Sequence, residues 1–266
     1  VDIWMGGYAV ISIGVNLFIM ISGYLLLDKT EEAMVFFKKR ILNILPLFLV
    51  FNIIYIYFGK IPIMPILKGK AISASHFWYI YMILSLYLIT PFLRKVVAKV
   101  DRKSINYLVF VWIIFMILVP FLNVIFKKNI KIYSPAGQYV GYFLIGYLLA
   151  EKPLNMKKWQ KYTVFFIAVS LTVFLTYIFT KSSGKFFDYF YDYHSVSVFI
   201  ATVFLYDYIV NVFDGEKVLG KVKGIIKPVS AKTYDIYLIH PIFLFFCERI
   251  LKSRMNYFLY IITVSY

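Results

Sequence analysis

Apolar runs of 15 to 22 residues recur along the chain, at 8–27, 41–58, 77–93, 105–126, 136–150, 162–180, 195–213 and 233–248, and a ninth begins at 256. A water-soluble domain of 266 residues has no use for so much uninterrupted apolar sequence, with 62% of residues apolar and 16% charged. The chain therefore belongs in a bilayer. Lipid offers the backbone no hydrogen bonds, so only helices and closed barrels span it. Barrel strands alternate apolar and polar positions, whereas these runs are uniformly apolar. The expected fold class is an all-α integral membrane protein, a multi-helix bundle. The shortest runs draw on their aromatic or polar flanks to cover about 30 Å of hydrocarbon.

Lys and Arg order the loops. One alternate set (28–40, 94–104, 151–161, 214–232) carries 18 of them and the other (59–76, 127–135, 181–194, 249–255) carries 11. The first set is expected in the cytoplasm. Residues 1–7 then face outward, and a cytoplasmic start calls for one more helix upstream, ten in all. The chain opens at Val1 and its last run stops after eleven residues at Tyr266, so it reads as a single transmembrane domain, 1–266, truncated at both ends. The net charge of +16 sits in short loops and forms no stripe, which sets nucleic acid aside as a partner and favours the lipid bilayer. Cys247, the single cysteine, has no CxxC or His/Cys spacing around it, so neither a disulfide framework nor a metal site is expected.

A titratable side chain at membrane depth is costly and marks a candidate site. His76 opens the third run at its outer end, beside Phe77, Trp78 and Tyr79; it reads either as an interfacial anchor or as a site residue. His240 lies seven residues inside its run, about 10 Å from the cytoplasmic edge at the helical rise. Pro241 follows it and removes the donor that would bond the Tyr237 carbonyl, which then needs another partner. His240 either satisfies a hydroxyl or carbonyl of a neighbouring helix or lines a polar cavity. Asp207 and Asp235 lie near the cytoplasmic side, and Asp235 stands three residues from Lys232 as an ion-pair partner would. Asn16, Ser22, Asn52 and Ser85 read as links between helices, and Gly137, Gly141 and Gly146 as close packing. No P-loop, GxSxG, HExxH or dinucleotide fingerprint is present, so spacing alone names no reaction.

Four stretches read in order add to this: "VNLFIMISGYLLL" (15–27), "FFKKRILNILP" (36–46), "HFWYIYMILSLYLITPFLR" (76–94) and "YDIYLIHP" (234–241). Together they resemble the membrane-bound acyltransferase 3 family along nearly the whole chain. The second stretch is similar to a basic cytoplasmic turn of that family, with Asn43 where a second arginine is common. Ile83 and Leu84 stand where many members carry a glutamate pair.

The resemblance implies a ten-helix enzyme of the cell membrane, multi-pass and bacterial, that moves an acyl group, usually acetyl, from acyl-CoA to a hydroxyl of a cell-surface glycan or related acceptor. Acyl-CoA is then a substrate, and no resident cofactor is expected. The family's catalytic Arg or Lys and His, about ten residues apart on the first helix, are expected upstream of Val1, so the fragment itself is expected to be inactive. Lys38, Lys39 and Arg40 become candidates for the donor's phosphates, and His76, Trp78 and His240 for the substrate cavity. A different class stays open beside this one, a transporter or flippase for a glycan or small metabolite, because Pro-broken helices also line translocation paths.

Overall fold

The computed structural model describes residues 2–59, 75–128, 137–212 and 223–250. Among them every element is helical: α1 (Asp2–Leu27), α2 (Ala33–Gly59), α3 (Trp78–Lys99), α4 (Arg102–Ile113), α5 (Val119–Ile125), α6 (Gly137–Glu151), α7 (Lys158–Ser183), α8 (Val196–Asn211), α9 (Lys223–Ala231) and α10 (Thr233–Ile250). A 3-10 turn, Ser75–Phe77, leads into α3, and another, Tyr189–Tyr191, precedes α8. The all-α membrane bundle read from the runs is the fold that forms. Five stretches, 33–57, 78–99, 102–125, 158–183 and 189–211, are long and apolar enough to cross a bilayer, and 12–27 is a shorter apolar helix. The run from 256 and most of the loops 59–76 and 127–135 lie outside the described residues.

The 105–126 run is not one regular helix. A π-helical turn, Ile114–Leu118, joins α4 to α5. Pro120 explains it: proline has no N–H, and its ring crowds the carbonyl four residues back, that of Met116, so the helix widens for one turn.

The helices pack as two compact units. The first comprises residues 1–32 and 85–213. Its centre is built by α1, α7 and α8, where Ile13, Ala168, Val198 and Ala201 are buried together. On its lipid-facing side α7 turns Phe166, Ile167 and Phe174 outward, each more than half exposed, as a helix solvated by acyl chains should. Glycine sets the approach of α1 to α6. A Cβ on Gly23 would overlap the Phe143 carbonyl, and one on Gly146 would overlap the Met20 carbonyl. The two backbones meet where neither has a side chain. Gly141 serves another partner, because the Trp112 ring occupies the space of its missing Cβ and Trp112 Nε1 donates to the Gly137 carbonyl at 2.7 Å.

Several charged groups of this unit are spent on the fold. Arg94, 7% exposed, donates from Nε to the Leu26 carbonyl at 2.8 Å and from a terminal nitrogen to the Glu31 carbonyl at 3.1 Å. It thereby closes the C-terminal end of α1, whose last carbonyls have no helical partner. Arg102 does the same for α6 through the Leu148 carbonyl and the Glu151 carboxylate. Lys161 and Asp207 form a buried ion pair, and Asp207 also accepts from the Leu154 amide and Asn211 Nδ2, both at 3.1 Å. Loop basicity, expected from topology and lipid, here includes three cations that act on carbonyls and on the carboxylates of Glu151 and Asp207. Asn16 Nδ2 bridges away from its helix to the Tyr193 carbonyl, whereas the Ser22 hydroxyl turns back to Phe18 on its own helix.

The second unit comprises residues 33–84 and 214–266. Here α2, the 3-10 turn with the start of α3, and α10 share a core of Phe48, Phe77, Ile80 and Leu238. The stretch "FFKKR" is helical, not a turn, since α2 begins at Ala33. Lys and Arg propagate helix well, and burying Phe36 completely while Lys38 and Lys39 stay exposed gives this first part of α2 two distinct faces. Lys232 and Asp235 pair at 3.1 Å, as their spacing suggests.

Candidate functional site

The kink at Pro241 organises the second unit. With no N–H at Pro241, the Tyr237 carbonyl loses its helical partner. His240 Nδ1 takes that place at 2.7 Å. A carbonyl only accepts, so Nδ1 carries the proton and donates. One turn's neighbour, the Leu238 carbonyl, accepts from Tyr55 Oη at 3.0 Å. Tyr234 Oη donates to the Ile44 carbonyl at 2.8 Å, which ties the start of α10 to α2. Tyrosines on α2 and α10 thus hydrogen-bond each helix to the backbone of the other.

Against this kink sits His76. Its ring centroid lies 5.3 Å from that of His240 and 5.3 Å from that of Tyr55, with Phe77 at 4.4 Å and Tyr237 at 5.5 Å. Tyr237 Oη donates to the His76 carbonyl. The side chain is 3% exposed, and its Nε2 is buried with no hydrogen-bond partner among the described residues. A buried imidazole nitrogen left unpaired costs about 1–3 kcal/mol, so the arrangement suits a site that acquires a polar partner. The sequence set His76 at the outer membrane edge and His240 about 10 Å from the cytoplasmic one; the structure places the rings side by side. Run ends mark a change of polarity, and they do not give the depth of tilted or kinked helices.

His76 lies in the 3-10 turn ahead of the apolar span. Burial first, and neighbouring His240 second, lower its pKa to about 4 from 6.5. The folded protein thus resists protonating it. Between pH 6.5 and 4 the unfolded chain binds a proton that the fold refuses, so this group's contribution to stability is complete above pH 6.5 and is lost as pH falls toward 4. In detergent, the melting temperature of wild type should fall more steeply over that window than that of His76→Phe, which keeps an aromatic ring and does not titrate. Parallel curves would contradict the burial of a neutral imidazole.

The other sequence candidates are placed as follows. Trp78 is half-buried at the start of α3 with its ring edge-on to Tyr79 at 6.1 Å. Lys38 and Lys39 are exposed, and Arg40 is half-buried with its Nε shielded and without a hydrogen-bond partner among the described residues. From Arg40 to Tyr55, which touches His76, α2 rises roughly 22 Å at 1.5 Å per residue. The structure therefore brings His76 and His240 together and leaves the cations at the other end of the same helix. Among the described residues no three His, Cys, Asp or Glu side chains gather as a metal site requires.

One titratable residue escaped the sequence reading. His194 stands in the loop before α8, in a cavity with Asp192, Tyr189 and Gln138. Two polar residues at 192 and 194 carry no spacing signal, and only the fold adds Gln138 to them.

No curated protein and no solved structure matches the chain. The acyltransferase 3 family model, described as an acyltransferase domain, matches residues 1–265. A histidine buried at a proline kink, a cationic start to α2 and an all-helical membrane fold stand under that match, and the chain belongs to the acyltransferase 3 family of multi-pass membrane acyltransferases.

Proposed function

We propose that the protein is an O-acyltransferase that takes an acyl group, in the simplest case acetyl, from acyl-CoA at the cytoplasmic face and transfers it to a hydroxyl of a cell-surface glycan. The observation that carries the reading is the unpaired, buried Nε2 of His76 beside His240. A thioester carbonyl or an acceptor hydroxyl supplies the polar partner it lacks. The second observation is the length of α2. Arg40, with Lys38 and Lys39, holds the nucleotide phosphates of CoA, because guanidinium and ammonium groups supply the charge-assisted hydrogen bonds that phosphate needs. The pantetheine arm then runs along α2 toward Tyr55 and His76, and an extended arm matches that distance.

In this mechanism the acceptor oxygen attacks the thioester carbonyl, its proton passes to a base, and the CoA thiolate leaves. The base is the histidine to which the family resemblance assigns that role. His240 holds the kink, and a low-pKa imidazole at His76 stays neutral and orients the reacting groups. The acyl-transfer step needs no bound cofactor.

The test uses the full-length protein in membranes. Arg40→Ala should raise the KM for acetyl-CoA about tenfold or more, the equivalent of a lost charge-assisted hydrogen bond of ~1.5–3 kcal/mol. An acetyl-pantetheine donor, which lacks the nucleotide phosphates, should not distinguish the variant from wild type. Equal sensitivity to both donors would remove Arg40 from the phosphate site.

A further inference from the structure

The first unit contains a half-open cavity of about 270 Å³. One wall is apolar and comes from the π-helical turn and Pro120. The other is polar and comes from Gln138 at the start of α6 and from Tyr189, Asp192 and His194 in the loop before α8. Tyr189, Asp192 and His194 lie within one loop that the Lys and Arg bias assigns to the outside, 181–194, and Gln138 follows shortly after the other, 127–135. The cavity therefore opens at the extracytoplasmic end of this unit.

Its polar side is held in place. His194 Nε2 donates to the Gln138 carbonyl at 3.0 Å, and the ring packs on Tyr139 with centroids 4.8 Å apart. The His194 backbone amide donates to Asp192 Oδ1 at 2.7 Å, and His194 Nδ1 lies 3.4 Å from that oxygen. These contacts use one carboxylate oxygen, Oδ1, and the Asp192 side chain is half exposed. Tyr189 Oη is buried and has no hydrogen-bond partner among the described residues. A carboxylate, a phenol, an imidazole and a primary amide thus converge opposite an apolar wall. The chemistry selects among ligands. Asp192 repels phosphates and carboxylates, and one carboxylate with one imidazole falls short of a metal set. A lipid chain would strand the polar groups. Neighbouring hydroxyls suit them, since each donates to a carboxylate or accepts from a phenol, while the ring's C–H face rests on the apolar wall. The volume is just below that of drug-sized pockets, which is room for one sugar ring.

We propose that this cavity binds one neutral sugar residue of the glycan acceptor on the outer side of the membrane, with Asp192 and Tyr189 hydrogen-bonding its hydroxyls; this rests on the acyltransferase reading above. It names a binding site for the acceptor, whereas Arg40 concerns the donor and His76 the reacting groups.

The test measures binding and transfer separately in full-length protein reconstituted in nanodiscs. Saturation-transfer NMR with neutral monosaccharides, N-acetylglucosamine and glucose among them, should give signals that glycerol at equal concentration does not. Asp192→Asn keeps the oxygen that accepts the His194 amide and so keeps the loop, but it should weaken sugar binding about tenfold. Tyr189→Phe should weaken it about threefold. In transfer assays Asp192→Asn should raise the KM for the saccharide acceptor and not that for acetyl-CoA. If sugars bind through these residues and no acyl transfer is detected, the cavity assignment stands and the enzyme reading fails. If transfer proceeds with the acceptor KM and the sugar signals unmoved in both variants, or if wild type binds no sugar above the glycerol control, the cavity assignment is wrong.

Discussion

Asp207→Ala should destabilise the first unit by ~3–5 kcal/mol, the range for removing one partner of a buried ion pair. The reason is what remains: Lys161, 3% exposed as a residue, would keep an ammonium in a low-dielectric interior with its carboxylate gone. The Leu154 amide and Asn211 Nδ2 would lose an acceptor at the same time. A loss of this size is a large fraction of a typical fold's stability of about 5–15 kcal/mol, so the variant should show a sharply reduced folded yield and a lowered melting temperature. Joint replacement of Lys161 by Met and Asp207 by Leu should recover much of it, because two well-packed apolar side chains avoid the desolvation cost of two charges. A double-mutant cycle measures the coupling. Equal damage from the single and double variants would show that the pair is not the source of the effect.

His240→Ala should lower transfer activity tenfold or more in the full-length protein. Alanine leaves the Tyr237 carbonyl without the donor that Nδ1 provides, and it removes a ring from the nest around His76. His240→Gln retains an N–H donor of similar reach and should recover a good part of the rate. That pair of results identifies a positioning residue, since an amide does not take up a proton near neutral pH. If both variants fold and glutamine is as inactive as alanine, His240 takes part in proton transfer.

The helices and their class are legible from sequence because lipid leaves the backbone no alternative, and the largely apolar run 162–180, which falls inside α7 (Lys158–Ser183), illustrates this. The missing donor at the Tyr237 carbonyl was also legible from Pro241, but a partner for His240 was expected on a neighbouring helix, and only the fold shows Nδ1 turned back to this carbonyl of its own helix. Other features depend on contacts between distant residues. Nothing near His76 in sequence signals His240, 164 positions away, and depths counted along each run separately do not show that the two rings meet. Gly23 sits in a stretch quoted for resemblance, but its requirement for no side chain comes from Phe143 across the α1–α6 contact. Arg94 and Arg102 counted among loop charges, and only the fold shows them closing the ends of α1 and α6. Asp192 and His194 became a candidate only when Gln138 and the π-helical turn closed a cavity over them.

The most direct measurement follows labelled acetyl from acetyl-CoA in membranes that contain the full-length protein and a saccharide acceptor. Label should appear on the saccharide as an ester cleaved by mild base, and His76→Ala, recovered at wild-type levels in the membrane, should reduce its rate at least tenfold. Passage of unmodified saccharide across the bilayer with no label transferred would contradict the acyltransferase assignment at this site and support translocation instead. Full transfer by His76→Ala would separate the chemistry from the histidine pair.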